Sequence, residues 1–370
     1  MTTTIHLSGP ADMLVVLPYQ LGYHPRDCLV ALSLHGTRLG LVQRIDLPPP
    51  EHVRDAVAAM ITPLLQDRPA SVLLVGYEDH DGESRAMLDE MARVCRTDGV
   101  HVSDRMVVRN GRRFGPDCHK SCCPPQGVML PDPSQVPAVA EFVGRGICPL
   151  PDRAAVAEQL EISRPLLSRA VSALADEWLD LRMEATDAGR TELDECRASE
   201  LDVWSRVLCD EDDAEPIQAL PPQDLAMLAV SLTDVDLRDA LIAWLCPGTL
   251  PHELIDPTLL LQMGQALLEP LWLDREHGDV ERGDVEGGDV EQVIGLQRIE
   301  RRLCELCAAL PDEWAVSSLT VLASFTWWRG DGALTRMALD RALRVDPGYR
   351  LARLLEQMVD LAIRPERETA

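Results

Sequence analysis

The segment Ser71-Val72-Leu73-Leu74-Val75-Gly76-Tyr77 is an almost unbroken apolar run, and it decides the fold class of the N-terminal part of the chain. A run of this length without polar alternation is typical of a strand that is buried on both faces, at the centre of a sheet. Residues 51–66 before it and residues 84–97 after it carry apolar side chains at helical spacing. The pattern therefore predicts a central strand between two amphipathic helices.

Two hairpins extend this predicted sheet. Their strands are residues 28–34 with 39–47, and residues 100–108 with 112–114. The second pair is separated by Asn110-Gly111, a strong hairpin signal because both residue types tolerate positive φ. For residues 1–130 we predict an α/β sandwich domain with a mixed sheet, followed at its end by a cysteine-rich loop at residues 117–125.

Helical spacing replaces the strand patterns after this domain, and no strand signal follows residue 135. We predict an acidic all-helical domain over residues 131–274, a flexible insertion over residues 275–293 and a helical segment over residues 294–370. The predicted fold class is thus an α/β domain with a mixed sheet, followed by an all-α region that ends in a tetratricopeptide-like hairpin.

The predicted insertion contains a repeat of five residues, with Gly-Asp-Val-Glu at 278–281, 283–286 and 288–291. Calcium-binding β-roll repeats also use Gly and Asp, but their period is nine residues. The spacing therefore argues against a calcium site. A flexible segment of low complexity is the interpretation that this composition favours.

The tetratricopeptide prediction depends on four dipeptides near the C-terminal end: Leu322-Ala323, Gly330-Asp331, Ala342-Leu343 and Asp346-Pro347. Their spacing fits a helix–turn–helix unit of this repeat class. Thr326 and Thr335 depart from the usual pattern. Because one unit cannot form a peptide-binding superhelix alone, a packing element is favoured over a docking surface, and a protein partner at these helices stays an alternative.

Charge is distributed unevenly over the chain. The net charge is −26, and residues 131–295 alone contain 35 acidic and 11 basic side chains. Such a surface repels nucleic-acid phosphates and anionic lipids, so we expect neither nucleic-acid nor membrane binding. The bland interpretation, a solubilising surface, is the favoured one.

The N-terminal sequence lacks a basic region, and its apolar run from Met13 to Leu17 is short. It resembles neither a signal peptide nor a membrane span, so a cytoplasmic location is predicted. In that compartment the eleven cysteines are expected to be reduced thiols rather than a disulfide framework.

Soft ligands are concentrated in one short stretch that contains Cys118, His119, Cys122 and Cys123. A structural zinc site needs four ligands, so the cluster would require a distant fourth such as Cys148. A thiol switch between Cys118 and one of the other two cysteines is a second hypothesis, in which Lys120 lowers a thiol pKa. A folded loop without chemistry is the favoured alternative. No other cofactor is predicted.

A second candidate pocket lies at the Tyr23-His24-Pro25-Arg26-Asp27 segment. A loop histidine near an aspartate can form an oriented acid–base pair, although Pro25 more simply indicates a rigid turn. Asp12 and Asp46 are expected at the same end of the sheet. The candidate pocket therefore consists of Asp12, Tyr23, His24, Asp27 and Asp46.

The remaining cysteine motif indicates core packing, and the common nucleotide-binding and hydrolase motifs are absent from the sequence. Cys304 and Cys307 form a C-x2-C pair inside an apolar helical run, which indicates core packing rather than a redox motif. The chain has no Gly-rich nucleotide-binding loop, no G-x-S-x-G elbow and no H-E-x-x-H zinc motif. Nucleotide binding and the common hydrolase mechanisms therefore have no support in the sequence.

Several segments together resemble a known family. They are Leu7 to Asp12, Leu21 to Asp27, Cys122 to Gly127, Trp327 to Asp331 and Asp346 to Tyr349. The chain is similar through them to an actinobacterial family, family 4192 of the domains of unknown function. The resemblance implies an actinobacterial source of high GC content, which agrees with the single lysine beside 34 arginines. It implies no catalytic residue.

The sequence thus favours a non-enzymatic cytosolic interaction or regulatory protein. The alternative is an enzyme, or a ligand or redox sensor, whose site joins the 22–27 loop to the Cys118–Cys123 cluster.

Overall fold

The computed structural model describes residues 9–36, 38–118, 120–144, 146–209, 214–267 and 285–363. At His252 and at residues 285–294 only the backbone is described. The chain divides into two compact units. The first runs to Arg153 and takes in Asp360–Ile363, and the second begins at Ala154.

The first unit contains a mixed sheet of six strands. The strands are Cys28–His35 (β1), Arg38–Asp46 (β2), Ser71–Tyr77 (β3), His101–Arg109 (β4), Arg112–Phe114 (β5) and Val128–Met129 (β6). Their order is β2-β1-β3-β4-β5-β6; β3 and β4 are parallel, and the other neighbours are antiparallel. The apolar run of residues 71–77 is therefore an inner strand, as predicted. The sixth strand was not predicted, because two residues carry no periodicity.

Helices cover both faces of this sheet. They are Pro10–Leu21 (α1), Val53–Gln66 (α2), Arg85–Thr97 (α3) and Pro137–Gly144 (α4). α2 and α3 enclose one apolar layer with alternate residues of β1, β3 and β4, including Leu29 and Leu74. α1 encloses the other layer, which includes Val30 and Val75, and α4 packs against the outer side of α1. The alternation follows from the period of two along a strand.

From residue 153 onward, the regular elements of the described residues are helices. The helices are Arg153–Glu158 (α5), Pro165–Ala188 (α6), Arg190–Val207 (α7), Pro222–Ser231 (α8), Val235–Leu245 (α9), Pro257–Ala266 (α10), Val285–Ala309 (α11), Asp312–Arg329 (α12), Gly332–Val345 (α13) and Arg350–Asp360 (α14). No strand occurs in the described part of the second unit. The prediction of an all-helical region after the sheet is confirmed.

The predicted flexible insertion, residues 275–293, lies only partly within the described residues. Residues 275–284 lie outside them, and α11 begins at Val285, within the repeat. Among the described residues, no helix combines the length and apolar composition that crossing a bilayer requires.

A turn at Gly330 and Asp331 joins α12 to α13. Gly330 has a φ of 95°, which an L side chain rarely adopts, and the Asp331 carboxylate accepts a hydrogen bond from the backbone N–H of Leu334 at 2.9 Å. Ala323 on α12 and Ala342 on α13 are fully buried. Small side chains at these positions allow the two helices to approach closely.

Candidate functional site

Three cysteine sulfurs meet in the loop that follows β5. The Sγ atoms of Cys118, Cys122 and Cys123 all lie within 4.8 Å of one another. Those of Cys118 and Cys122 are 3.7 Å apart, and Cys122 is exposed. His119, the fourth member of the predicted cluster, lies outside the described residues. The structure thus brings together the three thiols that the sequence singled out.

Turns and a glycine hold this loop in shape. The backbone N–H of Cys118 donates to the Gly115 carbonyl at 3.1 Å, and that of Cys123 donates to the Lys120 carbonyl at 3.0 Å. A Cβ atom added at Gly115 would lie 2.8 Å from the Sγ of Cys123 and 3.2 Å from the Cβ of Cys118. Gly115 therefore provides the space in which two of the three cysteines pack.

The thiols differ in their protonation. The pKa of Cys118 is lowered, first by a hydrogen bond from the Lys120 backbone and then by the neighbouring thiols. The charge of Lys120 contributes least, so the predicted effect of this residue comes mainly from its backbone. Burial and the adjacent thiols raise the pKa of Cys123 to about 11. The arrangement favours one thiolate that accepts hydrogen bonds from its neighbours.

Ion pairs anchor the start of the cysteine loop to α3. Arg105 on β4 contacts Asp117 at 2.5 Å and Asp89 of α3 at 2.6 Å. Arg85 of α3 donates to the Pro116 carbonyl at 3.3 Å and lies 3.5 Å from the Asp117 carboxylate. Because these contacts join three separate segments, they fix the loop relative to the sheet.

The cysteine loop borders an open cavity of about 600 Å³ on the α3 side of the sheet. The start of α3 and the ends of β4 and β5 form the remaining walls. Its charged and thiol-bearing lining consists of Glu78, Asp81, Arg85, Arg109, Cys118, Lys120 and Cys123. A concave site with a few convergent polar groups is a typical small-ligand site.

A buried carboxylate forms the floor of this region. Glu78, whose side chain is 2% exposed, accepts hydrogen bonds from the backbone N–H of Ser84 at 2.9 Å and from its hydroxyl at 2.6 Å. Arg109 donates to Glu78 at 2.9 Å and to Asp81 at 2.6 Å, and its guanidinium lies 4.4 Å from the centre of the Phe114 ring. Glu78 thereby satisfies amides at the start of α3 and neutralises Arg109.

Glu78 and Arg109 were not among the predicted site residues. The available signal was position, since Glu78 directly follows the central strand at its carboxyl end. Ligand sites in open α/β sheets commonly lie at that end of the strands.

The second predicted pocket, at residues 23–27, is a turn held by backbone hydrogen bonds. Tyr23 is buried and forms a bridge with Leu150, and burial raises its pKa. His24 donates its backbone N–H to the Leu150 carbonyl at 3.0 Å, while the Asp27 carbonyl accepts from the Leu47 backbone at 3.0 Å. These backbone contacts fit a rigid turn. The pKa of His24 is lowered by partial burial and by Arg26.

The two predicted aspartates outside this loop also differ in surroundings. Asp46, paired in register with Cys28 at the end of the sheet, contacts Arg44 at 2.5 Å and Arg153 at 3.3 Å. Asp12 lies half-buried in the first turn of α1.

The cavity beside the cysteine loop lies on the face of the sheet that α2 and α3 cover. Cys28 and Tyr77 belong to the apolar layer under α1. Leu88 and Val107, which line the cavity beside the cysteine loop, belong to the layer under α2 and α3. Tyr23, His24 and Asp27 do not contribute to the cavity lining, so the cavity is built without the 22–27 loop.

The remaining cysteines of interest lie elsewhere. Cys148 is exposed and is not part of the group whose sulfurs converge. Cys304 and Cys307 are buried in α11, at 5% and 1% exposure, so the prediction of core packing is confirmed.

Comparison with known proteins identifies one family. The family model described as Domain of unknown function (DUF4192) matches residues 10–261 and 294–366, which is most of the chain. The interval between the two matched ranges contains the five-residue repeat. No curated protein and no solved structure matches the chain.

Proposed function

The chain belongs to the DUF4192 family, and we propose that this member is a non-enzymatic regulatory protein that responds to oxidation of a dithiol in its N-terminal domain. The observation that carries the proposal is the 3.7 Å separation of the Cys118 and Cys122 sulfurs at an accessible position. A resolving thiol beside an accessible first thiol is the usual arrangement of redox-sensing cysteines.

The chemistry needs a hydroperoxide as the oxidant. The Cys118 thiolate attacks the O–O bond, forms a sulfenic acid and releases an alcohol, or water when the oxidant is hydrogen peroxide. The Cys122 thiol then displaces water from that sulfur and forms the disulfide. Two thiols and one hydroperoxide thus give one disulfide, one alcohol and one water. The disulfide would close a very short loop, which adds little chain-entropy stabilisation and so favours reversibility.

The environment supports regulation rather than turnover. Both arginines of the cavity wall are engaged by carboxylates, Arg109 by Glu78 and Arg85 by Asp89. Oxidation changes the shape of a loop that ion pairs connect to α3, so it would be transmitted to the adjoining helix. An enzyme would instead need a second partner that regenerates the dithiol at every cycle.

The test is oxidation of the reduced full chain with one equivalent of hydrogen peroxide, followed by peptide mapping. We expect one intramolecular disulfide between Cys118 and Cys122, reversed by a thiol reductant. In the double variant Cys122→Ser with Cys123→Ser the reaction should stop at a Cys118 sulfenic acid that a dione reagent traps, because both neighbouring thiols are then absent. Cys148→Ser serves as a matched exposed control. Random oxidation over the exposed cysteines would contradict the proposal. Sustained peroxide consumption with reductant present would reassign the protein as a peroxidase.

We further propose that α12 and α13 are a tetratricopeptide-like hairpin that serves as a packing element, with a protein partner at the C-terminal helices as the alternative. The close packing at Ala323 and Ala342, the left-handed turn at Gly330 and the following helix α14 support a hairpin of this class. The hydroxyl of Tyr349, just before α14, forms hydrogen bonds with Ser317 and with Arg238, each at 3.0 Å. These contacts support a packing role for the hairpin.

A further inference from the structure

We propose that Cys118, Cys122 and Cys123 bind one zinc ion, with the fourth coordination position open to the adjacent cavity. A dithiol switch uses two sulfurs, yet this loop brings three together. The third sulfur, that of Cys123, is the feature that the redox proposal leaves without a role.

The distances between the sulfurs fit a zinc–thiolate site. With Zn–S bonds of about 2.3 Å, two sulfurs of a tetrahedral site lie about 3.8 Å apart. The Cys118 and Cys122 sulfurs are already separated by 3.7 Å. Since all three sulfurs lie within 4.8 Å of one another, the other pairs are at most about 1 Å from the required spacing. Rotation of side chains in a loop can supply a movement of this size.

Adjacent cysteines rarely both reach one metal ion, and the local backbone explains how they can do so here. The turn closed by the Cys123 N–H on the Lys120 carbonyl directs the Cys123 side chain back toward Cys118. Gly115 leaves space for that sulfur, because any side chain there would collide with it. The site is therefore shaped by the glycine as much as by the thiols.

Groups behind the sulfurs would stabilise a bound cation. Asp117, next to the first ligand, is held by Arg105 and Arg85, so the ligand-bearing backbone is positioned before a metal arrives. Such outer contacts typically change metal affinity by about 10- to 100-fold.

The cavity defines where the fourth ligand would come from. Cys118 and Cys123 line it, whereas Cys148, the distant ligand suggested by the sequence, is not part of the converging group. A zinc ion on the three sulfurs would keep one position facing the cavity, for water or for a small donor ligand. Three protein ligands with an open fourth position are the arrangement of reactive rather than purely structural zinc sites.

The experiment uses the full chain, reduced and freed of metal by a chelator, and titrated with zinc and with cobalt as a spectroscopic probe. We expect one equivalent to bind, with thiolate-to-cobalt charge-transfer absorption that zinc abolishes. Cys118→Ser, Cys122→Ser and Cys123→Ser should each weaken zinc binding at least about tenfold. Cys148→Ser should leave binding unchanged.

Two variants separate this inference from the redox proposal. Cys123→Ser retains the Cys118–Cys122 pair, so it should lose metal affinity while still forming the disulfide. Gly115→Ala retains all thiols but displaces the Cys123 sulfur, so it should also weaken binding, and unchanged circular dichroism would exclude unfolding as the cause. Stoichiometric zinc binding that survives Cys123→Ser and Gly115→Ala, or the lack of any thiolate-to-cobalt band in the parent chain, would overturn the zinc site.

Discussion

The hydroxyl oxygens of Thr326 on α12 and Thr335 on α13 lie 2.8 Å apart, and both side chains are shielded from solvent. Either hydroxyl can be the donor between them, because each also has a backbone carbonyl within reach, that of Asp331 at 2.6 Å from Thr335 and that of Leu322 at 3.0 Å from Thr326. These are the two positions at which the sequence departs from the tetratricopeptide pattern. The departure is compensated, because each polar group finds its partner in the other helix or in the backbone.

Replacement of Thr335 by Val should lower the unfolding free energy of the second unit by about 1 kcal/mol, because the hydrogen bond between the helices is lost. The double variant with Thr326→Val should cost less than the sum of the two single variants, since no buried hydroxyl then lacks its partner across the helices. All seven tryptophans lie between residues 178 and 328. Their fluorescence during urea unfolding therefore reports on this unit, and strictly additive costs would contradict the coupling.

A buried arginine donates hydrogen bonds to the backbone carbonyls at the C-terminal end of α7. Arg302 on α11, 4% exposed, donates to the carbonyl oxygens of Arg206, Val207 and Glu215 at 2.6 to 2.9 Å. Arg302→Met introduces an apolar side chain of similar length and leaves these carbonyls without their donor. We therefore expect the free energy of unfolding to fall by about 2–4 kcal/mol. The neighbour Arg301 is 67% exposed, and Arg301→Met should cost less than about 0.5 kcal/mol in the same fluorescence assay. Equal effects of the two variants would refute this role of Arg302.

How far the sequence predicts this molecule depends on whether the determining signal is local. The central strand at residues 71–77 was predictable because burial on both faces requires a continuous apolar run. The β4–β5 hairpin was predictable from Asn110-Gly111, and both residues have the positive φ that the turn requires. In each case the residues whose pattern predicts the strand or turn are the same residues that form it.

The cavity could not be predicted in this way, because its contacts join distant segments. Arg109 meets Glu78 across 31 positions in sequence, and Arg105, on the same strand as Arg109, meets Asp89 of α3 and Asp117 of the cysteine loop. Strand alternation also determines that Cys28 faces α1 while Val107 faces α3, and motif spacing does not reveal this. The clustering of Cys118, Cys122 and Cys123 was visible in the sequence, whereas their mutual distance depends on the turns around Gly115 and Lys120.

Loss of the Glu78 charge should loosen the start of α3. Glu78→Gln replaces a carboxylate that accepts from Ser84 and Arg109 with an amide that also presents donors, and we expect a cost of about 1–3 kcal/mol. Hydrogen exchange of the amides at residues 82–88 should become faster. Asp81 is 91% exposed and pairs with the same arginine, so Asp81→Asn is the matched control and should leave this exchange nearly unchanged. Equal protection in Glu78→Gln and the parent chain would disprove the capping role.

Glu300 on α11 should make the second unit less stable as the pH rises. Its side chain is 19% exposed and contacts Arg329 at 2.5 Å, and burial raises its pKa to about 7 from the usual 4.5 despite that arginine. Below about pH 4.5 the carboxyl is protonated in both the folded and the unfolded state. Between about pH 4.5 and 7 the unfolded state ionises first, so the contribution of Glu300 to stability falls over this window, by about 1–3 kcal/mol.

Glu300→Gln cannot ionise, so this variant should lose that part of the pH dependence. The measurement is the urea midpoint from tryptophan fluorescence at pH 5, 6, 7 and 8 for the variant and the parent chain. We expect the difference between them to shift in favour of the variant as the pH rises and to level off above pH 7, because Glu300 is then ionised in both states. A difference that is constant over this range would show that the carboxyl titrates normally in the folded protein. It would also show that the contact with Arg329 offsets the burial of the charge.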